Sequence, residues 1–171
     1  PSTIALGGNT DPYQPIERQR RITRSILEVM ARTNHPVGII TKSALVARDI
    51  DILQPMAAKG LAKVAVSITT LDRHVARAME PRAATPSRRL ETVRQLSQAG
   101  IPVTVMVAPI IPGLTDHEIE PILEAAREAG ARDAGYVLLR LPLEIKTLFR
   151  EWLAEEFPGR ANRVISLLQS M

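Results

Sequence analysis

The chain has no cysteine among its 171 residues. That absence removes disulfides, thiol nucleophiles, iron-sulfur ligation and cysteine-based zinc sites from the chemistry these residues can perform. Aromatic residues are almost as scarce, with one Trp, two Tyr and two Phe, so few rings are available for stacking exposed bases. The longest apolar runs, such as Val105 to Ile111, fall far short of the ~18 residues that cross a bilayer. No charged-then-apolar segment opens the chain as a signal peptide would, and a soluble, cytoplasmic protein is expected. The chain begins at Pro1 and enters an apolar run within two residues, which reads as if something had been removed upstream. Repeats, low-complexity tracts and linkers are missing too, so residues 1–171 are expected to form a single domain. There is no Gly-x-Ser-x-Gly elbow and no P-loop, and His35, His74 and His117 lack metal-ligand spacing, so no metal site is expected.

What is present reads as alternating strands and helices. Apolar runs rich in β-branched residues recur at Thr3 to Gly7, Val37 to Thr41, Lys63 to Ile68, Val103 to Ala108 and Ala134 to Leu141. Their starts are roughly 26 to 40 residues apart, the length of a βα unit. Their nearly continuous apolar character predicts parallel strands covered on both faces.

Between the first two strands, Pro15 opens a predicted helix with Ile22, Ile26, Leu27 and Met30 inward, stopped by Asn34-His35-Pro36. Thr85-Pro86 starts another, with Leu90, Val93 and Leu96 buried and Gly100 as its stop. Thr115 to Glu118 fits a capping box ahead of Ile119, Ile122, Leu123 and Ala126, ending at Gly130. Leu148, Phe149, Trp152 and Leu153 share one helical face, and Val164, Ile165 and Leu168 mark a last helix. The fold class is α/β with a parallel sheet. Gly7-Gly8 leads into Asn9-Thr10-Asp11 rather than the spaced glycines of a dinucleotide-binding turn, which favours part of a barrel over an open doubly wound sheet.

Either architecture puts its site at the carboxyl ends of the strands. Those ends carry Asn9, Thr10 and Asp11, then Thr41-Lys42-Ser43, then Ser67, Thr69 and Thr70, and finally Arg140. The fourth strand, with Val107 and Pro109, adds backbone groups and an apolar wall. This mixture of hydroxyls, a carboxylate and an ammonium suits a small molecule of mixed charge. Each residue also has a plainer role open to it. Asp11-Pro12 starts turns, Ser67, Thr69 and Thr70 could cap the helix that Asp72 opens, and Arg140 needs a partner that Asp11 or Glu80 would supply as well as a ligand. Lys and Arg exceed Asp and Glu by 22 to 18, so an anionic partner such as nucleic acid is conceivable. Solvated helix faces explain Arg18-Gln19-Arg20-Arg21 and Arg88-Arg89 equally well.

The ordered set of strings resembles one family. It comprises Gly8-Asn9-Thr10-Asp11-Pro12-Tyr13-Gln14-Pro15, Ile40-Thr41-Lys42-Ser43, Val66-Ser67-Ile68-Thr69-Thr70-Leu71-Asp72, Met79-Glu80-Pro81-Arg82 through Arg88-Arg89-Leu90, and Ala99-Gly100-Ile101-Pro102-Val103. Together these are similar to the radical SAM superfamily, in its spore photoproduct lyase-like, or DNA repair photolyase-like, branch.

The resemblance implies a partial (β/α) barrel in which a 4Fe-4S cluster, held by a Cys-x-x-x-Cys-x-x-Cys loop, binds S-adenosylmethionine (SAM). Cleavage of SAM then gives a 5'-deoxyadenosyl radical that abstracts hydrogen from substrate. By the same resemblance the chain is an N-terminally truncated barrel of about five βα units, lacking the cluster loop. Asn9, Thr10 and Asp11 would lie near the SAM amino group, Lys42 and Ser67 near its carboxylate or ribose, with Thr69 beside them, and Val107 and Pro109 against the adenine. The cluster would belong to the intact protein only, with an electron donor such as flavodoxin or ferredoxin. The cysteine hydrogen donor of spore photoproduct lyase has no counterpart here. The substrate stays open, nucleic acid being one candidate. A cluster-free α/β module binding an anionic small molecule or a protein partner is the alternative. The exposed edge of the first strand predicts a homodimer.

Overall fold

A computed structural model describes residues 2–170. Five strands, β1 (Ile4–Leu6), β2 (Val37–Thr41), β3 (Ala62–Ser67), β4 (Val103–Ile110) and β5 (Asp133–Leu138), form one sheet. They are all parallel and lie in the sequential order β1-β2-β3-β4-β5. A doubly wound sheet reverses its strand order at a switch point; this sheet never does. It is a sector of a barrel.

The helices are α1 (Glu17–Arg20), α2 (Ile22–Thr33), α3 (Ile50–Ala58), α4 (Arg73–Met79), α5 (Pro86–Gln98), α6 (Ile119–Glu128), α7 (Ile145–Glu156) and α8 (Pro158–Gln169). Val37, Ile39, Val64, Val66, Val103, Val105 and Val107 point to one side of the sheet. There they form a core with Leu27 of α2, Leu53 and Met56 of α3, Leu96 of α5 and Ile122 of α6. Each buried side chain of this size contributes about 1.5–3 kcal/mol, so this layer dominates the fold's stability. No helix among the described residues is long and apolar enough to cross a membrane.

The other face of the sheet is open, which corrects the expectation of cover on both sides. It presents Ala5, Gly38, Ile40, Lys63, Ala65, Ser67, Met106, Ala108 and Gly135. Ile40 is 37% exposed. A Cβ on Gly135 would come within 2.8 Å of the Met106 sulfur, so Met106 lies across the glycine in this concavity. Small residues hide the alternation, because Gly and Ala keep the run apolar whichever way they face. β5 departs further. It starts one residue earlier and ends sooner than predicted, and it is mostly exposed, Tyr136 by 71%.

Local departures have local causes. Arg21 takes a left-handed conformation (φ 51°) and splits the predicted helix into α1 and α2. The Thr23 hydroxyl donates to the Pro12 carbonyl at 2.5 Å and the Thr23 amide to Glu17 Oε2 at 3.1 Å. These bonds turn Thr23, Leu27 and Met30 inward and leave Ile22 and Ile26 outside.

The capping box does not form. Thr115 Oγ1 accepts from the Ile111 amide at 2.9 Å, the Glu118 carboxylate reaches β3's end, and α6 begins at Ile119. Pro86 opens α5 as expected, but the Thr85 side chain caps nothing. On α7, Leu148 is exposed, whereas Phe149, Trp152 and Leu153 join Val164, Ile165 and Leu168 of α8 around Ile111 and Leu114. This second cluster sits over the loops after β3 and β4, where Trp152 Nε1 donates to the Ala78 carbonyl at 3.3 Å.

Candidate functional site

At the end of β1 the chain makes a turn that only glycine permits. Gly7 has φ +104°, and a Cβ there would fall 2.1 Å from the Ile40 carbonyl oxygen. This close crossing of β1's end over β2 delivers Asp11 to Thr41 and Lys42. Asp11 Oδ1 accepts from the Thr41 hydroxyl at 2.7 Å and the Tyr13 amide at 2.8 Å, and Oδ2 accepts from the Lys42 amide at 2.7 Å. Three donors satisfy most of the carboxylate's accepting capacity. Asp11 is therefore a staple between two strand ends rather than a bare charge at the mouth. Asn9 and Thr10 beside it are exposed and have no side-chain hydrogen bond among the described residues.

The main polar centre lies between β2, β3 and α5. Glu80, at the end of α4, pairs with the Lys42 ammonium through Oε1 and with Arg89 Nη2 at 2.5 Å through Oε2. Thr69 Oγ1 lies 3.1 Å from Glu80 Oε1 and 3.0 Å from the Ala108 carbonyl oxygen, so its one proton serves both. Arg89 also donates from Nη1 to the Ser67 carbonyl at 2.9 Å and from Nε to the Ala84 carbonyl at 2.7 Å. Burial pushes the Glu80 carboxyl up, but the charges and hydrogen bonds of Arg89 and Lys42 outweigh it and hold the group below the usual range. Lys42 differs from its partners in exposure. Its side chain is 34% accessible against 11% for Glu80 and 3% for Arg89, which leaves ammonium protons for a further acceptor.

A second buried carboxylate closes the neighbouring strand end. Glu118 takes the Thr70 hydroxyl on Oε1 and the Leu71 amide on Oε2 at 2.6 Å. Asp72 caps α4, accepting from the amides of His74 at 2.7 Å and Val75 at 3.2 Å, while its own amide donates to Thr70 Oγ1 at 3.0 Å. Ser67 and Thr69 take no part in that cap, and Thr70 supports it through the Asp72 amide.

The structure brings Asn9, Thr10, Asp11, Lys42, Ser67 and Thr69 to one end of the sheet. Pro109 follows on β4, half-buried after a cis peptide bond. Val107 does not join them. Its side chain is 2% exposed in the helix-side core, because strand alternation turns it away while Ala108 faces the concavity. Arg140 lies beyond β5 and is exposed, and both carboxylates suggested for it are committed elsewhere.

Glu80 and Arg89 are the residues the sequence reading undervalued. Arg89 is buried rather than on a solvated face. The signal was its spacing, since positions 89, 93 and 96 lie on one helical stripe.

The residues do not fit an iron-sulfur cluster. There is no cysteine, and among the described residues no group of three His, Asp or Glu could hold a metal. They do fit the polar half of an amino-acid-bearing nucleoside. The open face mixes small residues with Ile40, Lys63 and Met106. An ammonium with spare protons stands at the carboxyl ends of the strands, and Asn9 and Thr10 there are exposed without a side-chain partner among the described residues.

The sequence profile described as Radical SAM superfamily matches residues 2–126. An uncharacterized protein of Mycobacterium tuberculosis is 34% identical over 163 residues, covering 94% of this chain and 48% of its own length. An uncharacterized protein of Methanocaldococcus jannaschii is 30% identical over 115 residues, covering 67% of this chain and 43% of its own. Among solved structures, a spore photoproduct lyase double mutant with bound AdoMet and dinucleoside spore photoproduct superposes with a TM-score of 0.63. It shares 19% identity over 93% of this chain and 46% of its own. A single mutant of spore photoproduct lyase gives 0.61, also at 19%. At that identity the likeness establishes the fold. The chain spans about half the length of the relatives it matches.

Proposed function

Since this chain belongs to the radical SAM superfamily, we propose that its strand ends form the SAM-binding side of a radical SAM centre in a longer protein. When bound together with a 4Fe-4S cluster held by other residues, SAM supplies a 5'-deoxyadenosyl radical for hydrogen abstraction. This chain's part is to bind and orient SAM. Lys42 offers its ammonium to the amino-acid carboxylate, and Ser67 and Thr69, both buried, back the rim, Thr69 through its bond to Glu80. Asn9 and Thr10 accept from the amino group. Asp11 holds the β1 turn in place for them instead of touching the ligand itself. Pro109 and Ala108 flank the base, taking the part first given to Val107. For the whole protein the proposal includes a cytoplasmic location and an external one-electron donor of the flavodoxin or ferredoxin class. In the isolated chain it includes pairing of the free β1 edge with a second copy.

The observation that carries this reading is Lys42, partly exposed on Glu80 at the strand-end rim of the open face of the sheet. The absence of cysteine favours a second reading for the isolated chain, a cluster-free α/β module holding an anionic ligand at the same rim. Ligand-detected NMR with SAM tests the first. Without the cluster's contacts to the amino and carboxylate groups, binding near millimolar is expected, about 4 kcal/mol. Micromolar binding would show the mouth to be complete without a cluster and would favour the second reading.

A further inference from the structure

Continuous with the SAM-side rim, and sharing Lys42 and Asp11 with it, is a cleft of about 630 Å³ lined also by Arg18, Ser43, Arg82 and Arg88. Arg18 comes from α1, Arg82 from the loop after α4, and Arg88 from the first turn of α5. Segments some sixty residues apart therefore converge their cations on one space. The three guanidiniums are exposed, and none has a carboxylate or any other side-chain hydrogen-bond partner among the described residues.

The carboxylates near them are committed to other groups: Glu91, one turn beyond Arg88 and near enough to feel its charge, is bonded by Arg94 and Gln95. Glu17, next to Arg18, is buried and takes the amides of Thr23 and Arg24 and the guanidinium of Arg48. Glu80, near Arg82, is held by Arg89 and Lys42. Asp11 is occupied by Thr41, Tyr13 and the Lys42 amide. The same bonds fix the backbone beside each cation, since Arg89 ties α5 to the Ala84 carbonyl within the Arg82 loop. The cleft thus keeps its positive charges and commits its negative ones, an arrangement that costs self-repulsion until an anion arrives. Planar guanidiniums match phosphate oxygens in pairs.

We infer that this cleft binds a phosphate group of the substrate, either in a nucleotide chain or on a small phosphorylated molecule. Its place next to Lys42 rests on the SAM-side reading, because the cleft would then hold a substrate's phosphate within reach of the radical centre. Phosphate binding itself does not depend on that reading and is measured without SAM.

The test titrates the chain with inorganic pyrophosphate by calorimetry and with a fluorescein-labelled single-stranded oligothymidylate by anisotropy, at two salt concentrations. Three phosphate contacts give a salt slope near −2, so affinity for the oligonucleotide falls roughly twentyfold between about 50 and 200 mM salt. Arg18→Gln, Arg82→Gln and Arg88→Gln are each expected to weaken binding by about three- to tenfold and to lower the slope by ~0.7. Arg127→Gln, an exposed arginine on α6, is the control and leaves binding unchanged. Loss of pyrophosphate and oligonucleotide binding in the same variants supports a phosphate site. Sensitivity of only one probe supports the site and assigns its source. If neither probe binds, or if the cleft variants bind no worse than Arg127→Gln, the inference is overturned. Failure of SAM to bind, with phosphate binding intact, would sink the SAM-side reading and leave the cleft standing.

Discussion

Two buried charge clusters, both built around carboxylates and arginine, do opposite things. Beneath the β1–β2 loops, Asp49 is fully buried and takes Arg48 at 2.9 Å, Arg24 at 3.0 Å and the Tyr13 hydroxyl at 3.0 Å, while Arg48 reaches on to Glu17 at 2.9 Å. Arg24 continues to Asp51 and Glu28. Each cation there answers more than one carboxylate. At the β2–β3 ends one carboxylate, Glu80, answers two cations, and the surplus falls on Lys42, the more exposed of the pair. A cluster in which carboxylates outnumber cations, so that each arginine bridges at least two of them, fastens the fold. One with surplus positive charge at its rim leaves ammonium protons of Lys42 uncommitted.

Removing the central arginine from each cluster should separate them most widely. Arg89→Met leaves Glu80 without its buried partner and strands two carbonyls, those of Ser67 and Ala84. Breaking a buried pair from one side costs about 3–5 kcal/mol, which should appear as a large drop in the urea midpoint. Arg48→Met should cost less, about 1–3 kcal/mol. Arg24 still holds Asp49, and two amides still hold Glu17. Equal losses would show that the two clusters are not organised differently.

Acid should affect both clusters in the same direction. In Glu17, burial raises the carboxyl's pKa, but Arg48 and the amides of Thr23 and Arg24 outweigh it; Glu80 is likewise lowered overall. A carboxyl whose folded pKa lies below its unfolded value near 4.3 adds stability above that value. The contribution is lost as pH falls through the folded pKa. Urea midpoints should therefore decline below about pH 4.5, and Glu17→Gln and Glu80→Gln should each flatten the decline. A pH profile unchanged by both substitutions would remove these carboxyls from the account. Tyr13 runs the other way. Burial first, then Asp49, push its phenol well above its ordinary value, so its share of stability is present below about pH 10 and lost in stronger alkali.

How much of this was legible depended on whether the signal was local. The strand cores from Val37, Lys63 and Val103 were visible because β-branched runs bounded by turns need no distant partner. The open face was hidden because Gly38, Ala65 and Ala108 read as apolar in either orientation. The inward face of α2 was misjudged because the deciding bond, Thr23 to Pro12, joins residues eleven apart in sequence. The strand-end location of Asp11, Lys42 and Ser67 followed from parallel topology alone. Asp11's role did not, since its partners Thr41 and Lys42 lie thirty residues or more away. Arg89 was recoverable, as its position on the Val93–Leu96 stripe outweighs its adjacency to Arg88.

The smallest effect on stability should come with a clear effect on binding. Lys42→Met keeps most of the stem's packing and deletes the ammonium. Glu80 retains Arg89 and Thr69, and the Lys42 side chain is 34% exposed, so solvent screening keeps the loss at about 1 kcal/mol or less. A charge-assisted hydrogen bond to the SAM carboxylate is worth roughly 1.5–3 kcal/mol. In the full-length, cluster-loaded protein, SAM affinity and SAM cleavage should therefore fall about tenfold to a hundredfold, while the unfolding midpoint barely moves. Lys42→Arg should restore binding only in part, because a planar fork cannot present its donors as a compact ammonium does. Lys59, exposed at the end of α3 and bonded to the Asn34 side chain, is the matched control and should tolerate the same change to Met in both measurements. If Lys42→Met binds and cleaves SAM as the unmodified protein does, the surplus charge at this rim has no SAM to answer, and the contrast between the two clusters reduces to a difference in burial.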